Sequence, residues 1–371
     1  MLRILDRYLL RSFLHNYLLA LFVMISLYVT LDLFVNFDEF TEVDEFTGRA
    51  PRPEEIVRNI ASFYGYNLPL YFSQISAVIT LFAAALTLAR MQRANEMTAV
   101  LASGTSMYRV AAPVITAALL LNVVWYADQE FLLPRLAQKL VRDRDDVNGR
   151  KVRQVWCLRD GPRRLLSAGE FRPGSGKMYQ MIVLDRDENL MLSGVLTADE
   201  AEYDPAAGGW RLERGVHIRR DTASTEVFGP DEGIIKEPIA FYKSDLTPDE
   251  IVLRQSAQWL DFLSLGELAE LERRNVVPAE RVAQIRHTRF TTPMNSMVLL
   301  LLGIVFFLHR EPASVIVQGG KALAVCATCF VVSFIGQQLV GAIDIAPALP
   351  AWLPTILFAP VCAVLLHGIR T

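Results

Sequence analysis

A chain of 371 residues that is 52% hydrophobic, with a mean hydropathy of +0.28, is too apolar for an ordinary soluble enzyme and reads as an integral membrane protein. Its 37 Lys and Arg against 40 Asp and Glu give a net charge of -3, segregated in sign along the chain, so no nucleic-acid footprint is implied. Three of the four cysteines (Cys326, Cys329 and Cys362) lie inside apolar runs and Cys157 stands alone, which excludes a disulfide framework.

Taken in order, Arg3, Arg7 and Arg11 precede an apolar run at residues 18–35. That run is long enough to span and lacks a small-residue cleavage site, so it predicts an uncleaved first helix and not a signal peptide. Asp32 interrupts it near its far end, and an acidic connection follows with Asp38, Glu39, Glu42, Asp44 and Glu45. An amphipathic piece begins near Pro53, and residues 68–89 and 110–127 are the second and third apolar runs. Residues 290–308, 322–343 and 345–366 supply three more. Each is close to the roughly 20 apolar residues that cross a hydrocarbon core of about 30 Å, which predicts six transmembrane helices. With both ends in the cytoplasm, the inner segments carry Arg3, Arg7, Arg11, Arg90, Arg93, Arg109, Arg310, Lys321 and Arg370. The short outer loops then carry mainly acids, with Arg49, Arg52 and Arg58 as exceptions.

Residues 90–104, RMQRANEMTAVLASG, lie between the second and third runs and predict a helix set in a polar loop. Arg90, Arg93 and Glu96 recur every three residues on one flank, while Met97, Val100 and Leu101 form an apolar edge. Gly104 closes the helix, because glycine adopts the left-handed conformation that ends one. Two readings stand: a coupling helix that docks an energy-supplying subunit, or a loop that is basic because cytoplasmic loops usually are.

From residue 128 to about 289 the pattern changes. A helical continuation over residues 130–146 ends in the charged run Arg142 to Asp146. Segments rich in β-branched, aromatic and aliphatic residues follow at 152–159, 163–168, 178–185, 189–197, 209–220 and 234–242, with turn-formers between some of them. Strands at this spacing without intervening helices predict an antiparallel sandwich or jelly roll. Helical signals return at 264–275, where Ser264 and Glu267 fit a capping box, and at 279–288, leading into the fourth span. The organisation is therefore residues 1–128 with three spans, residues 129–289 as an all-β jellyroll-like domain with flanking helices, and residues 290–371 with three more spans.

No constellation for catalysis emerges. His15, His217, His287, His309 and His367 are scattered, without metal-ligand spacing, and no nucleophile elbow or paired intramembrane aspartate appears. Pro173-Gly174-Ser175-Gly176-Lys177 resembles a phosphate loop, but Phe171 and Met178 stand where such a loop needs a glycine and a hydroxyl. A hairpin turn is the simpler reading, so no cofactor, no metal and no ATPase activity of its own are expected. Asp32, Gln337 and Gln338, the polar groups inside or at the ends of spans, are candidates to line a lipid cavity, with interhelical hydrogen bonding as the alternative for the glutamines.

From end to end the chain resembles the LptF/LptG (YjgP/YjgQ) family, the permease subunits of the ATP-driven lipopolysaccharide exporter. The residues that carry the resemblance are LDRYLLRSFL at 5–14, EMTAVLASG at 96–104, Leu132-Leu133-Pro134, the stretch 264–293 running into MVLLLLGIVFF at 297–307, and Ala351-Trp352-Leu353-Pro354. The resemblance implies a six-helix half-transporter of the inner membrane with a periplasmic β-jellyroll inserted between spans three and four. It also implies a cytoplasmic ABC ATPase subunit bound at the coupling helix through Glu96, a second permease chain, and a periplasmic jellyroll bridge that takes over the lipopolysaccharide. Where members often place a lysine at the outer end of the first span, this chain has Asp32, followed by Asn36, Asp38 and Glu39. That rim would repel a polyanion unless a divalent ion bridges them, so either the partner chain supplies the positive charge or the cargo differs. The rival from another class is a membrane scaffold that transports nothing and whose outer domain binds an envelope protein.

Overall fold

The computed structural model describes residues 4–42, 49–141, 152–220, 234–256, 258–308, 315–338, 346 and 348–368. Within them the chain divides into two compact units. One comprises Met1–Val35, Leu68–Leu133 and Glu280–Thr371; the other comprises Asn36–Asn67 and Pro134–Ala279.

The first unit is helical. Its helices are α1 (Ile4–Val35), α2 (Pro53–Arg93, which begins in the other unit), α3 (Glu96–Ala102), α4 (Met107–Ala127), and later in the chain α8 (Ala279–Val305), α9 (Val315–Gln338) and α10 (Ala348–His367). Among the described residues, six helices are long and apolar enough to cross a membrane. The amphipathic piece at Pro53 and the second apolar run form one helix of 41 residues, uninterrupted by the internal Pro69. At 1.5 Å per residue it extends roughly 60 Å, twice a hydrocarbon core. Pro53 opens α2 with Glu54 and Glu55 in the first turn, and Arg90 and Arg93 close it. Acid at the start and base at the end both oppose the helix dipole favourably.

Small residues set the packing of this unit. Ala83 and Ala84 of α2 and Ala111, Ala117 and Ala118 of α4 are buried in one cluster with Leu9, Phe13 and Tyr17 of α1 and Leu300 and Ile304 of α8. Apolar lipid gives no hydrophobic drive for helices to associate, so close backbone approach and van der Waals contact must hold them. At Gly303 of α8 a Cβ would fall 2.1 Å from Leu81 Cδ1 of α2, so the glycine lets these two helices meet. Arg289 of α8 is paired with Glu130 at 3.1 Å, both largely shielded, in the π-turn Asp128–Leu132 that extends α4.

The second unit is built on an antiparallel sheet of eight strands. They are β1 (Arg153–Asp160), β2 (Arg164–Arg172), β3 (Lys177–Arg186), β4 (Leu192–Asp204), β5 (Gly209–Glu213), β6 (Val216–Arg220), β7 (Ile234–Pro238) and β8 (Phe241–Lys243). Strands β1 to β4 pair in sequence, and the long β4 is shared, its first half with β6 and its second half with β5. The segments 209–220 and 234–242, each expected as one strand, are each broken in two. Arg214 has φ 53°, and a Cβ on Gly215 would lie 2.2 Å from the Ile239 carbonyl, so both strands break at one level. The helices α5 (Leu133–Leu140), α6 (Pro248–Gln255) and α7 (Leu265–Arg273) flank the sheet in sequence, and α7 carries the expected capping box of Ser264 and Glu267. The helical continuation ends by residue 141; the charged run Arg142 to Asp146 lies outside the described residues.

Burial along these strands does not keep strict alternation. Buried positions step from Ala168 to Phe171 on β2, from Met178 to Met181 on β3 and from Ala198 to Ala201 on β4, three residues each time and on paired strands. Gln180 takes φ 54° at that level, and a Cβ at the neighbouring Gly169 would sit 2.4 Å from Gln180 Oε1. The strands thus spend one residue each on a shared irregularity that keeps their apolar side chains, with Trp210 of β5, on a common interior.

Strands β1 and β8 end the pairing order, yet Asp160 of β1 accepts hydrogen bonds from Tyr242 Oη of β8 and from Ser244 Oγ, both at 2.6 Å. All three groups are buried. Burial and the adjacent Asp160 push the Tyr242 phenol well above its ordinary range, so it remains a donor. Asp160→Ala leaves two buried donors without an acceptor, and we expect it to lower the stability of the β unit by about 2–4 kcal/mol. Hydrogen exchange on the detergent-solubilised chain should show faster exchange in β1 and β8, with α8 to α10 unaffected.

Candidate functional site

The loop between α2 and α4, with Arg90 and Arg93 at its entrance and Glu96 within it, is the candidate site. Residues 90–104 are divided in the structure. Arg90 and Arg93 belong to the last turn of α2, and a turn follows in which the Ala94 amide donates to Arg90 O and the Asn95 amide to Gln92 O. Asn95 takes a left-handed conformation, φ 57°, which asparagine tolerates better than most residues. Only then does α3 begin, with Glu96 at the positive end of its dipole. Arg90, Arg93 and Glu96 therefore do not run along one helix; the left-handed residue turns the row. The expected stop holds: Gly104 has φ 78°, and Ser103 Oγ donates to Val100 O at 2.6 Å.

The apolar edge points inward. Met97 is 3% exposed and lies in the helical core with Leu9, Phe13 and Met107, and Val100 and Leu101 pack against the same cluster. Thr98, Ala99, Ala102 and Ser103 form the exposed face, flanked by the exposed Arg90 and Arg93. The side chains that looked suited to a partner thus hold α3 to its own chain, and a partner would meet small and hydroxylated residues with arginines beside them.

Three hydrogen bonds tie this loop to helices far away in sequence. Tyr8 Oη of α1 donates to Glu96 Oε2 at 2.8 Å, and Gln92 Nε2 donates to the Phe307 carbonyl just beyond α8 at 2.6 Å. Tyr108 Oη, at the start of α4, donates to the Leu366 carbonyl of α10 at 2.7 Å. No sequence pattern singles out Tyr8, Gln92 or Tyr108. Their only signal is a polar side chain at the edge of an apolar run.

The lipid-cavity candidates are scattered by comparison. Asp32 is half-buried in the last turn of α1. Gln337 and Gln338 close α9, and their side chains lie outside the described residues. A different polar lining exists between α8, α9 and α10. Gln284, Thr288, Thr291, Thr292, Asn295 and Ser333 meet Pro350, Ala351 and Pro354 around a cavity of about 30 Å³, room for about one water. Beside it Thr355 Oγ1 donates to Asn295 Oδ1 at 2.5 Å, and Trp352 Nε1 approaches His287 Nδ1 at 3.4 Å. The segment 173–177 is the β2–β3 hairpin connection, a short 3₁₀ turn closed by Gly176 at φ 65°. Among the described residues no three His, Cys, Asp or Glu side chains converge as metal ligands.

No curated protein matches the chain. The family model described as "Lipopolysaccharide export system permease LptF/LptG" does match, over residues 7–368.

In a Cys157→Ser background, which removes the exposed native thiol, single cysteines at Ala99 and Ala102 should react readily with a soluble maleimide. One at Met97 should react only after denaturation, because that side chain is 3% exposed. Equal labelling at all three would mean that α3 is not seated on the bundle.

Proposed function

Because the chain belongs to the LptF/LptG permeases of lipopolysaccharide export, matched over residues 7–368, and is thus a lipid-transport permease with several spans in the inner membrane, we propose that it is the membrane half of an ATP-driven exporter. Both termini and α3 face the cytoplasm, and the β unit faces the periplasm. An ABC ATPase subunit docks on the exposed face of α3 and supplies the hydrolysis. The lipopolysaccharide, or a related amphiphile, leaves the membrane through a cavity formed with a second permease chain and passes across the β unit to a periplasmic jellyroll bridge.

The observation that carries this reading is the seating of α3. A seven-residue helix is too short to be stable alone, so it moves only with what it is bonded to. Met97 plugs it into the core, and Gln92 and Tyr108 bond its flanks to the ends of α8 and α10. A push on α3 is therefore felt across the bundle. Support for a second permease chain comes from α1 and α9, the least covered of the apolar helices, with 6% and 17% of their most apolar windows buried, against 28–44% for the others.

Strand addition is also supported on one edge more than the other. The β1 edge is already capped by side chains of α6: Gln255 Nε2 donates to Gln154 O at 2.7 Å and Arg254 Nη1 to Arg159 O at 3.1 Å. The outer edge of β7 is the more open place for a bridge strand to pair.

Glu96→Lys reverses the one acidic charge on α3 and should leave the protein inserted while weakening ATPase retention at least about tenfold, the scale of losing a charge-assisted contact. Co-purification from mild detergent measures it; full retention of the ATPase together with normal lipid release would refute the docking role. Labelling of Ala102→Cys by an impermeant reagent only after the inner face is opened checks the orientation.

A further inference from the structure

We propose that Tyr8 is the positioning residue of the coupling site: its hydroxyl aims the Glu96 carboxylate at the ATPase partner and transmits displacement of α3 to α1. The inference rests on the docking role of α3 and adds to it the route by which movement enters the first transmembrane helix.

The chemistry of the pair suits this task. Glu96 follows the left-handed Asn95 on a seven-residue helix, so its own backbone gives the side chain little restraint. Tyr8 Oη donates to Oε2 at 2.8 Å, which fixes the carboxylate plane and leaves Oε1 to accept from a cation on the partner. A phenol does this without neutralising the charge, whereas a lysine or arginine at position 8 would consume it. Tyr8 is 40% exposed, while Leu9 and Phe13 beside it are 0% exposed, so the core of α1 does not depend on the Tyr8 hydroxyl.

The second part of the inference follows from how α1 is anchored. Its buried side chains are Leu9, Phe13, Tyr17 and Ala20, none of them beyond residue 20 of a helix that runs to Val35. Asn16 Nδ2 donates to Thr87 Oγ1 of α2 at 2.8 Å, a second tie further along the same half. Farther out, Phe22, Leu31 and Phe34 are 72%, 58% and 86% exposed, and the Tyr28 ring meets that of Tyr71 of α2 at a tilt of 52°. From Tyr8 to Asn16 is about 12 Å of helix, and from Asn16 to Val35 about 28 Å. Pivoting on the Asn16–Thr87 bond, a shift at Tyr8 reappears at the far end of α1 enlarged about twofold.

The test uses the whole complex, purified with its second permease chain and ATPase subunit and reconstituted in vesicles containing fluorescent lipopolysaccharide. ATPase retention, ATP hydrolysis and lipopolysaccharide released per ATP are read for Tyr8→Phe, which keeps the ring and removes the bond, and for Glu96→Lys. For Tyr8→Phe we expect ATPase retention lowered about threefold, because the Glu96 carboxylate loses its aim, and release per ATP lowered about three- to tenfold, the scale of one hydrogen bond to a partly exposed charge. Release per ATP equal to that of the unaltered protein overturns the role of Tyr8. If Glu96→Lys abolishes retention in the same series, docking at α3 stands and only the Tyr8 route falls. If Glu96→Lys behaves like the unaltered chain, the docking role fails and the inference with it.

Discussion

A backbone in hydrocarbon must satisfy its own hydrogen bonds, because no water is present to do so. That constraint decides where this chain can bend. Among the described residues, four of the six long apolar helices carry internal prolines and run on through them. The left-handed positions Asn95 and Gly104 occur instead where arginines and serines surround them, at a place suited to water. The loop around α3 is in this sense a by-product of solvation: the chain turns there because it is polar, and there it presents Arg90 and Arg93. The same rule explains why the shielded Arg289 is paired with Glu130, since an unpaired charge in that position would be costly.

Much of this organisation was legible in the amino-acid order. Runs of about 20 apolar residues are a direct consequence of bilayer thickness, and among the described residues all six correspond to helices, with 339–343 of the fifth run lying outside them. The strands were visible through β-branched and aromatic residues between turn-formers, and the capping box at Ser264 was visible because its two side chains are spaced by the geometry of a single turn. What stayed hidden depends on contacts between distant residues. Periodicity marks Met97, Val100 and Leu101 as one face but cannot say whether that face meets a partner or the chain itself. Tyr8 and Glu96 are 88 positions apart, and no local rule links them. The breaks at Gly215 and opposite Ile239 are likewise set by two strands meeting. By contrast, α6 had a readable signal: Thr247 caps it, accepting from the Glu250 amide, with Pro248 at the first position.

The β unit achieves continuity by a different device. Its sheet branches at β4 and ends at β1, β8 and β7, and the buried Asp160 joins the first two of these ends through Tyr242 and Ser244. Two buried donors converge on one oxygen, Asp160 Oδ2, so the group contributes specificity as well as energy, and no apolar triad could reproduce its direction. The shared irregularity at Gly169, Gln180 and Ala198 works alongside it, turning several strands without losing the common interior.

The loop around α3 is bonded separately to the near ends of α1, α8 and α10, and covalently to α2 and α4. Such an arrangement shares load. Force applied at one spot is divided among five helices, and no single polar contact bears all of it. With the ATPase docked here as proposed, damage should be graded: each severed tie dulls the response, and only losing the hydrophobic plug would silence it. Losing any one bond leaves α3 held by the others and by the buried Met97.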